Sequence, residues 1–176
     1  MRVITGSARG RKLREPKDQS VRPTTDMVKE AIFSIVQFDV PGRRVLDLFA
    51  GTGQLGIEAL SRGAKECVFV DNSPTSAALV RQNLEICGFQ GTVVRGDSLE
   101  YLRRCGKFDL VFIDPPYHAG LYKDVLDAVF SFDILSEGGI ILVESMRGES
   151  MPEPLPPYTK GKTYNYGKIS LTLYTR

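Results

Sequence analysis

Apolar positions along the chain follow two patterns in turn, short continuous runs and helical spacing, and this alternation predicts the order of the elements. The runs are short and rich in β-branched and aromatic side chains, which is typical of strands buried on both faces. Between them, apolar residues recur every three or four positions, as in amphipathic helices. The predicted strands cover about residues 44–49, 67–71, 92–95, 108–114 and 139–144, and the predicted helices about 25–38, 54–62, 75–87, 98–104 and 121–131.

Strands that alternate with helices indicate βαβ units, in which helices cover both faces of a parallel sheet. The rhythm changes after Glu144, because four prolines within residues 152–157 exclude a further helix. Beyond them, Thr163–Tyr166 and Lys168–Tyr174 are predicted to pair antiparallel around Gly167. The predicted fold class is therefore α/β, with a mostly parallel seven-stranded sheet and an antiparallel C-terminal strand.

The length of 176 residues is typical of one domain, and a chain of this size buries roughly 70% of its unfolded surface without disulfides or metals. Three cysteines, Cys67, Cys87 and Cys105, are odd in number and widely spaced, so neither a disulfide framework nor a zinc cluster is expected. No apolar run reaches membrane-spanning length, and the N-terminus lacks the apolar block of a signal peptide. The expected location is the cytoplasm.

Positive charge is concentrated at the N-terminus. Residues 1–22 contain seven basic and two acidic side chains, so residues 23–176 carry a net charge of −3 in a chain whose total is +2. Such asymmetry is typical of a surface that binds polyanions, although a solvated basic tail would show the same charge. Apolar residues flank a turn between Gly6 and Gly10, so we predict a basic hairpin extension over residues 1–22 and one α/β domain over residues 23–176.

The first predicted strand runs into a glycine loop of the form Gly-x-Gly-x-x-Gly, from Gly51 to Gly56, at the start of a helix. Glycines let a ligand approach the backbone, and the helix N-terminus offers amide donors. Asp71 ends the second strand 20 residues after Gly51, where its carboxylate can accept hydrogen bonds from both hydroxyls of a ribose. These features fit a nicotinamide dinucleotide and S-adenosylmethionine equally well, since both contain adenosine.

Two further acids favour S-adenosylmethionine. Asp47 lies four residues before Gly51, where it would attract the ammonium group of a methionine moiety and repel a pyrophosphate. Asp97 follows the third strand and is placed to accept from the exocyclic amine of adenine, although capping the next helix is an alternative role. The predicted cofactor-binding residues are Asp47, Phe49, Ala50, Gly51, Thr52, Gly53, Gly56, Asp71, Asn72, Asp97 and Ser98.

The fourth predicted strand ends in Asp114-Pro115-Pro116-Tyr117. Prolines hold the residues before them extended and cannot donate to a sheet, so this corner fixes its carbonyls at the end of a buried strand. Open α/β sheets bind ligands there. Two hydrogen-bond acceptors beside a flat ring suit the amino group of a nucleobase. Taken alone, the tetrapeptide could also be a turn that the prolines stiffen, with no role in binding. We predict that these four residues are catalytic.

The sequence resembles the class I S-adenosylmethionine-dependent methyltransferases, and among them the bacterial family that methylates the exocyclic N2 of a guanine in 16S rRNA. The resemblance spans essentially the full length and is carried by RVITGSARGRKL, VRPTTDMVKEAIFSIV, DLFAGTGQLGIEALSRGA, DPPY and YGKISLTLY. DPPY also occurs in DNA adenine and cytosine amino-methyltransferases, so the narrower assignment depends on the RGRKL and RPTTD segments. Met27 stands where relatives commonly have arginine, and no phosphate contact is assigned to it.

The resemblance implies a Rossmann-like fold, S-adenosylmethionine as cofactor, and methyl transfer to a guanine of the 966 type. It implies 16S rRNA or the assembling small ribosomal subunit as partner, with no metal and no membrane, and a monomer is expected. Asp114 and the carbonyl of Pro115 would accept the two amine hydrogens, and Tyr117 would stack on an unpaired base. The residues expected to hold RNA phosphates are Arg9, Arg11, Lys12, Arg14 and Arg22.

Three other functions are weighed against this one. A DNA or other RNA amino-methyltransferase, acting on adenine N6 or cytosine N4, would use the same chemistry. The DNA enzymes usually carry a sizeable target-recognition domain, for which no segment here is long enough. A nicotinamide oxidoreductase leaves Asp47 and the DPPY corner unexplained. A non-catalytic RNA-binding module would keep the fold without transferring a methyl group. Binding of S-adenosylmethionine separates the methyltransferases from the oxidoreductase, and methyl transfer to rRNA would exclude the module.

Overall fold

The computed structural model describes residues 1–16, 25–117 and 120–176. In this part of the chain the strands are β1 Arg44–Asp47, β2 Glu66–Asp71, β3 Thr92–Arg95, β4 Phe108–Ile113, β5 Leu135–Met146, β6 Thr159–Tyr166 and β7 Ile169–Thr175. The helices are α1 Asp26–Ile35, α2 Gln54–Ser61, α3 Pro74–Cys87, α4 Ser98–Leu102 and α5 Tyr122–Ser131.

The strands form one sheet in the order β3-β2-β1-β4-β5-β7-β6. Strands β1 to β5 run parallel, and β7 is antiparallel to both of its neighbours. This confirms the predicted α/β class, the mostly parallel sheet and the antiparallel C-terminal strand. The chain moves outwards from β1 to β3 and then returns to the other side of β1 at β4. In open α/β sheets such a switch point is where ligands bind.

Two apolar clusters, one on each face of the sheet, explain why the strands are continuous apolar runs. In β4, Leu110 and Phe112 belong to one cluster, whereas Val111 and Ile113 belong to the other. All four side chains are at most 1% exposed. Full burial of such a side chain contributes roughly 1.5–3 kcal/mol, so the alternating side chains anchor the strand from both faces.

The N-terminal segment is a hairpin that packs into the core. The Val3 N–H donates to the Arg11 carbonyl at 3.0 Å, and the Gly10 N–H donates to the Val3 carbonyl at 2.9 Å. Val3, Ala8 and Leu13 are buried in the same apolar cluster as α1 and α2. The predicted hairpin is therefore present, while the predicted boundary after residue 22 lies outside the described residues.

Several element boundaries differ from the sequence prediction, among them the start of β6, which is Thr159 and not Thr163. The Thr25 side chain caps α1 by accepting from the Val28 N–H at 3.3 Å, but the helix ends at Ile35 and not near residue 38. Strand β5 begins at Leu135, which pairs with Phe108 ahead of a bulge, and not near residue 139 as predicted. Glycine weakens a strand in isolation. Here the Gly138 N–H donates to the Arg176 carbonyl at 2.9 Å, just beyond the end of β7, which holds the glycine pair in the sheet.

Within the described ranges, no helix combines the length and the apolar character needed to cross a lipid bilayer. The cysteines are free thiols, with Cys67 buried and the other two half-buried.

Candidate active site

A cavity of about 630 Å³ opens at the carboxyl edge of the sheet, beside the switch point between β1 and β4. Small-molecule sites commonly have volumes of about 300–1,000 Å³. The predicted residues on its wall are Asp47, Phe49, Ala50, Gly51, Thr52, Asp71, Asn72, Asp97, Ser98, Asp114, Pro115, Pro116 and Tyr117. Residues that are far apart in sequence thus meet at one edge because parallel strands end there together.

Gly53 and Gly56 lie behind this wall and shape the loop. Gly53 precedes α2 with a φ of 78°, a left-handed conformation that favours glycine. A Cβ on Gly56 would lie 2.2 Å from the ring of Phe69 and 2.7 Å from the sulfur of Cys67, so a side chain would push α2 away from β2. Of the predicted cofactor-binding residues, these two would act through the shape of the backbone.

Asp47 is a buried acid at the end of β1. It is 2% exposed, and its Oδ2 accepts from the Gly56 N–H at 2.9 Å. Burial raises the pKa of Asp47 to about 7; the Gly56 hydrogen bond opposes this rise and the Asp71 carboxylate adds to it. Because a cation stabilises an ionised buried carboxylate, Asp47 suits a ligand that brings an ammonium group to the cavity.

Asp71 ties the end of β2 to the glycine loop. Its Oδ2 accepts from the Gly51 N–H at 2.8 Å, and its Oδ1 accepts from the Ser73 N–H at 2.9 Å. Each carboxylate oxygen can accept about two hydrogen bonds. The same side chain can therefore hold the loop and accept from the hydroxyls of a ribose.

Asp97 has the helix-capping role that the sequence offered as an alternative. Its Oδ1 accepts from the Glu100 N–H at 3.0 Å, at the start of α4. Asp97 is also exposed on the cavity wall. Capping and binding of an adenine amine are compatible, since a carboxylate has two oxygens.

The DPPY corner follows β4, as predicted. Pro115 is buried, Pro116 is exposed and Tyr117 is half-buried on the wall. The Tyr117 hydroxyl donates to Glu144 Oε1 at 2.8 Å. Burial raises the pKa of Tyr117 well above its usual range, and Glu144 adds to this rise, so the phenol stays neutral and available as a donor.

Sequence analysis did not identify Glu144. This residue is 3% exposed near the end of β5, the strand next to β4 in the sheet. The signal was available, because an acid near the carboxyl end of a buried parallel strand lies at the edge where ligands bind.

Three of the predicted RNA-binding residues, Arg9, Arg11 and Lys12, are exposed on the hairpin. Arg14 is also exposed, but its Nη1 donates to Gln82 Oε1 on α3 at 3.2 Å. Arg22 lies outside the described residues. The four described cations of this set are therefore accessible to solvent.

A family model described as conserved hypothetical protein 95 matches residues 1–175. The chain belongs to this family. Ribosomal RNA small subunit methyltransferase D of Haemophilus influenzae is 34% identical over 180 residues, which cover 99% of this chain and 93% of the relative. The Escherichia coli K12 protein of the same name is 30% identical over 178 residues, covering 100% and 90%.

Comparison with solved structures is consistent with the family assignment. The Escherichia coli protein YhhF, whose name proposes a methyltransferase, matches with a TM-score of 0.87 at 30% identity, covering 100% of this chain and 97% of that one. The Thermus thermophilus 16S rRNA N2 G1207 methyltransferase, in complex with AdoMet and guanosine, matches with a TM-score of 0.72 at 24% identity, covering 91% and 44%. The second match shows a common fold. The predicted resemblance to bacterial rRNA methyltransferases is confirmed.

Among the described residues of this family member, no group of three or more histidine, cysteine, aspartate or glutamate side chains is arranged to hold a metal ion.

Proposed function

We propose that this chain transfers a methyl group from S-adenosylmethionine to the exocyclic N2 of a guanine in 16S rRNA. One observation carries the proposal: a single cavity wall joins the buried Asp47, the loop held by Asp71 and the DPPY corner. The names of the relatives support rRNA as the substrate class. We further propose a cytoplasmic monomer that acts on 16S rRNA or on the assembling small subunit.

The wall fits S-adenosylmethionine by the chemistry of its groups. Asp47 suits an ammonium group, and Asp71 suits a ribose beside the backbone of the glycine loop. A pyrophosphate would meet two acids there, which disfavours a nicotinamide dinucleotide. When bound, S-adenosylmethionine supplies a methyl group on a positively charged sulfur.

The DPPY corner prepares the amine of the base. An exocyclic amine of guanine is a poor nucleophile because its lone pair is delocalised into the ring. The Asp114 carboxylate and the Pro115 carbonyl accept its two hydrogens, which localises the lone pair on nitrogen. Positioning and electrostatic stabilisation supply most of the rate enhancement, and Asp114 takes the proton after transfer, when the nitrogen has become acidic.

Tyr117 gives the base a platform. Its ring stacks on the guanine, and its hydrogen bond to Glu144 fixes the orientation of the ring. A guanine in a base pair cannot reach this corner, so the target base is unpaired or flipped out. Arg9, Arg11 and Lys12 hold nearby phosphates, which positions the RNA without reading its sequence.

The first test of this site is Asp71→Ala. We expect it to weaken the binding of S-adenosylmethionine by about 1–3 kcal/mol, because the ribose loses charge-assisted hydrogen bonds and the loop loses its anchor at Gly51. Isothermal titration gives the dissociation constant, and thermal unfolding confirms that the variant is folded. An unchanged dissociation constant in the folded variant would remove Asp71 from the cofactor site.

The second test is Asp47→Asn, which should stabilise the free protein in alkaline solution. The pKa of Asp47 is about 7 when folded and near 4 when unfolded, so the stabilisation gained by holding the proton is complete below about pH 4. It is lost as the pH rises towards 7. We expect the free energy of unfolding of the variant to exceed that of wild type by about 1–3 kcal/mol at pH 8 and by little at pH 4. Denaturant unfolding at the two pH values measures this difference.

The same substitution should weaken binding of the cofactor at pH 8, because an amide cannot neutralise an ammonium group. In wild type, affinity for S-adenosylmethionine should rise between pH 6 and pH 7.5 as Asp47 ionises, and this rise should be absent in Asp47→Asn. Parallel pH profiles for the two proteins would show that Asp47 does not meet the ammonium group.

The proposed function is tested by incubating the protein with isotopically labelled S-adenosylmethionine and two substrates, a 16S rRNA transcript and small subunits from a strain that lacks the gene. Nuclease digestion and mass spectrometry should find labelled N2-methylguanosine from at least one substrate. Labelled N6-methyladenosine or N4-methylcytidine would contradict the choice of base, and no transfer to either substrate would contradict the function.

A further inference from the structure

A single buried amide, the side chain of Asn83 on α3, contacts both the hairpin and the glycine loop. Asn83 is 0% exposed. Its Oδ1 accepts from the Arg14 N–H at 2.7 Å, and its Nδ2 donates to the Arg14 carbonyl at 3.1 Å. The same Nδ2 donates to the carbonyl of Thr52 at 2.9 Å. Both amide hydrogens and the amide oxygen of Asn83 are therefore used.

These partners fix the orientation of the amide. A reversed side chain would turn its oxygen towards the two carbonyls and its NH₂ group towards the Arg14 N–H, which would lose all three hydrogen bonds. A buried polar group that loses its partner costs about 1–3 kcal/mol. Arg14 and Thr52 are thus held to one amide in one arrangement.

The two partners belong to different parts of the proposed site. Thr52 lies between the first two glycines of the loop and on the cavity wall. Arg14 lies at the end of the hairpin that carries Arg9, Arg11 and Lys12. Asn83 therefore joins the wall of the cofactor cavity to the base of the cationic hairpin.

Other contacts make the hairpin and the helix after the loop one unit. Glu58 on α2 is fully buried, and its carboxylate accepts from the N–H groups of Ile4 at 2.8 Å and Thr5 at 2.9 Å. A Cβ on Gly6 would lie 1.8 Å from the Ser61 carbonyl oxygen, so the turn touches α2 directly. Because packed interiors transmit displacement, a shift of the loop that begins α2 would also be felt by the hairpin.

We propose that Asn83 is a positioning residue that couples the glycine loop to the hairpin, so that cofactor and rRNA bind cooperatively. This inference rests on the proposed function, since it takes the hairpin as the RNA contact and the loop as the cofactor contact. A cofactor that fixes Thr52 also fixes Arg14 through the shared amide, and RNA then meets a hairpin already held in place. Thermodynamic linkage requires the coupling to be reciprocal.

Coupling is measured with S-adenosylhomocysteine, which lacks the transferable methyl group. The dissociation constant of the RNA probe, either the 16S rRNA transcript or small subunits that lack the modification, is determined with and without saturating S-adenosylhomocysteine. The dissociation constant of S-adenosylhomocysteine is then determined with and without the probe. For wild type, we expect each ligand to lower the dissociation constant of the other by the same factor, about fivefold or more.

Asn83→Ala should bring this factor close to one while both ligands still bind separately. Asn83→Asp is the closest substitution in shape: it keeps an acceptor for the Arg14 N–H but places a second oxygen against the carbonyls of Arg14 and Thr52, so it should also lose the coupling. Gln82→Ala is the matched control. Gln82 bonds the Arg14 side chain from the neighbouring position on α3, so this variant should keep the wild-type factor.

Amide hydrogen exchange gives a second readout that needs no RNA. In wild type and in Gln82→Ala, S-adenosylhomocysteine should slow exchange of the Arg14 N–H severalfold, because its acceptor is the Asn83 amide. In Asn83→Ala this slowing should be absent. The wild-type experiment stands even if the Asn83 variants do not fold.

The inference is overturned if wild type shows a coupling factor of one, if folded Asn83→Ala keeps the wild-type factor, or if the ligand leaves exchange at Arg14 unchanged. Wild type that methylates rRNA without coupling would overturn this inference and leave the proposed function intact. Wild type that neither binds nor methylates rRNA would overturn both.

Discussion

Asp114→Ala is expected to slow methyl transfer by about a hundredfold or more while leaving the affinity for S-adenosylmethionine unchanged. The carboxylate is proposed to accept a hydrogen of the target amine, so its loss removes an interaction that strengthens in the transition state and not one that holds the cofactor. Single-turnover transfer to substrate RNA at saturating cofactor measures this step separately from binding. Titration with S-adenosylmethionine checks that the cavity is intact.

Asp114→Asn is the matched variant for this prediction. Its amide oxygen can still accept one hydrogen bond, but the negative charge is lost, so the rate should fall between those of wild type and Asp114→Ala. If Asp114→Ala transferred the methyl group at the wild-type rate, the DPPY corner would be a turn without a catalytic role.

The second large effect is expected when Arg9, Arg11 and Lys12 are changed together to Ala. The variant should bind RNA about a hundredfold more weakly at 0.15 M monovalent salt, and the slope of log K against log salt should decrease by roughly 2–3 units. Both effects follow from counterion release at three phosphates. Affinity for S-adenosylmethionine should stay as in wild type, because these three side chains do not line the cavity.

A charge-matched control separates contact from overall charge. Lys65, Arg103 and Arg104 are exposed and precede β2 and β4, at the sheet edge opposite the cavity. Changing these three to Ala removes the same charge but should leave the salt slope near the wild-type value. Equal losses in the two triple variants would mean that the hairpin contributes only to the general charge of the protein.

Much of the site could be predicted from sequence because its residues follow strand ends. In a parallel sheet, the carboxyl ends of β1, β2 and β4 lie at one edge, so Asp47, Asp71 and Asp114 must be near each other once the strands are identified. No knowledge of side-chain packing is needed for that step. The glycine loop was found for the same reason, since it joins a strand end to a helix start.

The residues that sequence analysis missed depend on pairings between distant segments. Asn83 sits at an ordinary buried position of α3, and its role follows only from the docking of the hairpin beside the glycine loop. Glu144 meets Tyr117 only because β5 lies next to β4 in the sheet. Local sequence patterns show neither how the hairpin docks nor which strands are neighbours. The motif glycines Gly53 and Gly56 do not line the cavity, and their visible effect is on the shape of the backbone.

The most direct test of the central claim is a mass-spectrometric map of modified nucleotides in 16S rRNA from a deletion strain that carries either the wild-type gene, Asp114→Ala or no copy. The account predicts that one N2-methylguanosine is absent from the deletion strain, restored by wild type and lacking or strongly reduced with Asp114→Ala at equal protein levels. A complete set of N2-methylguanosines in the deletion strain, or full restoration by Asp114→Ala, would contradict it.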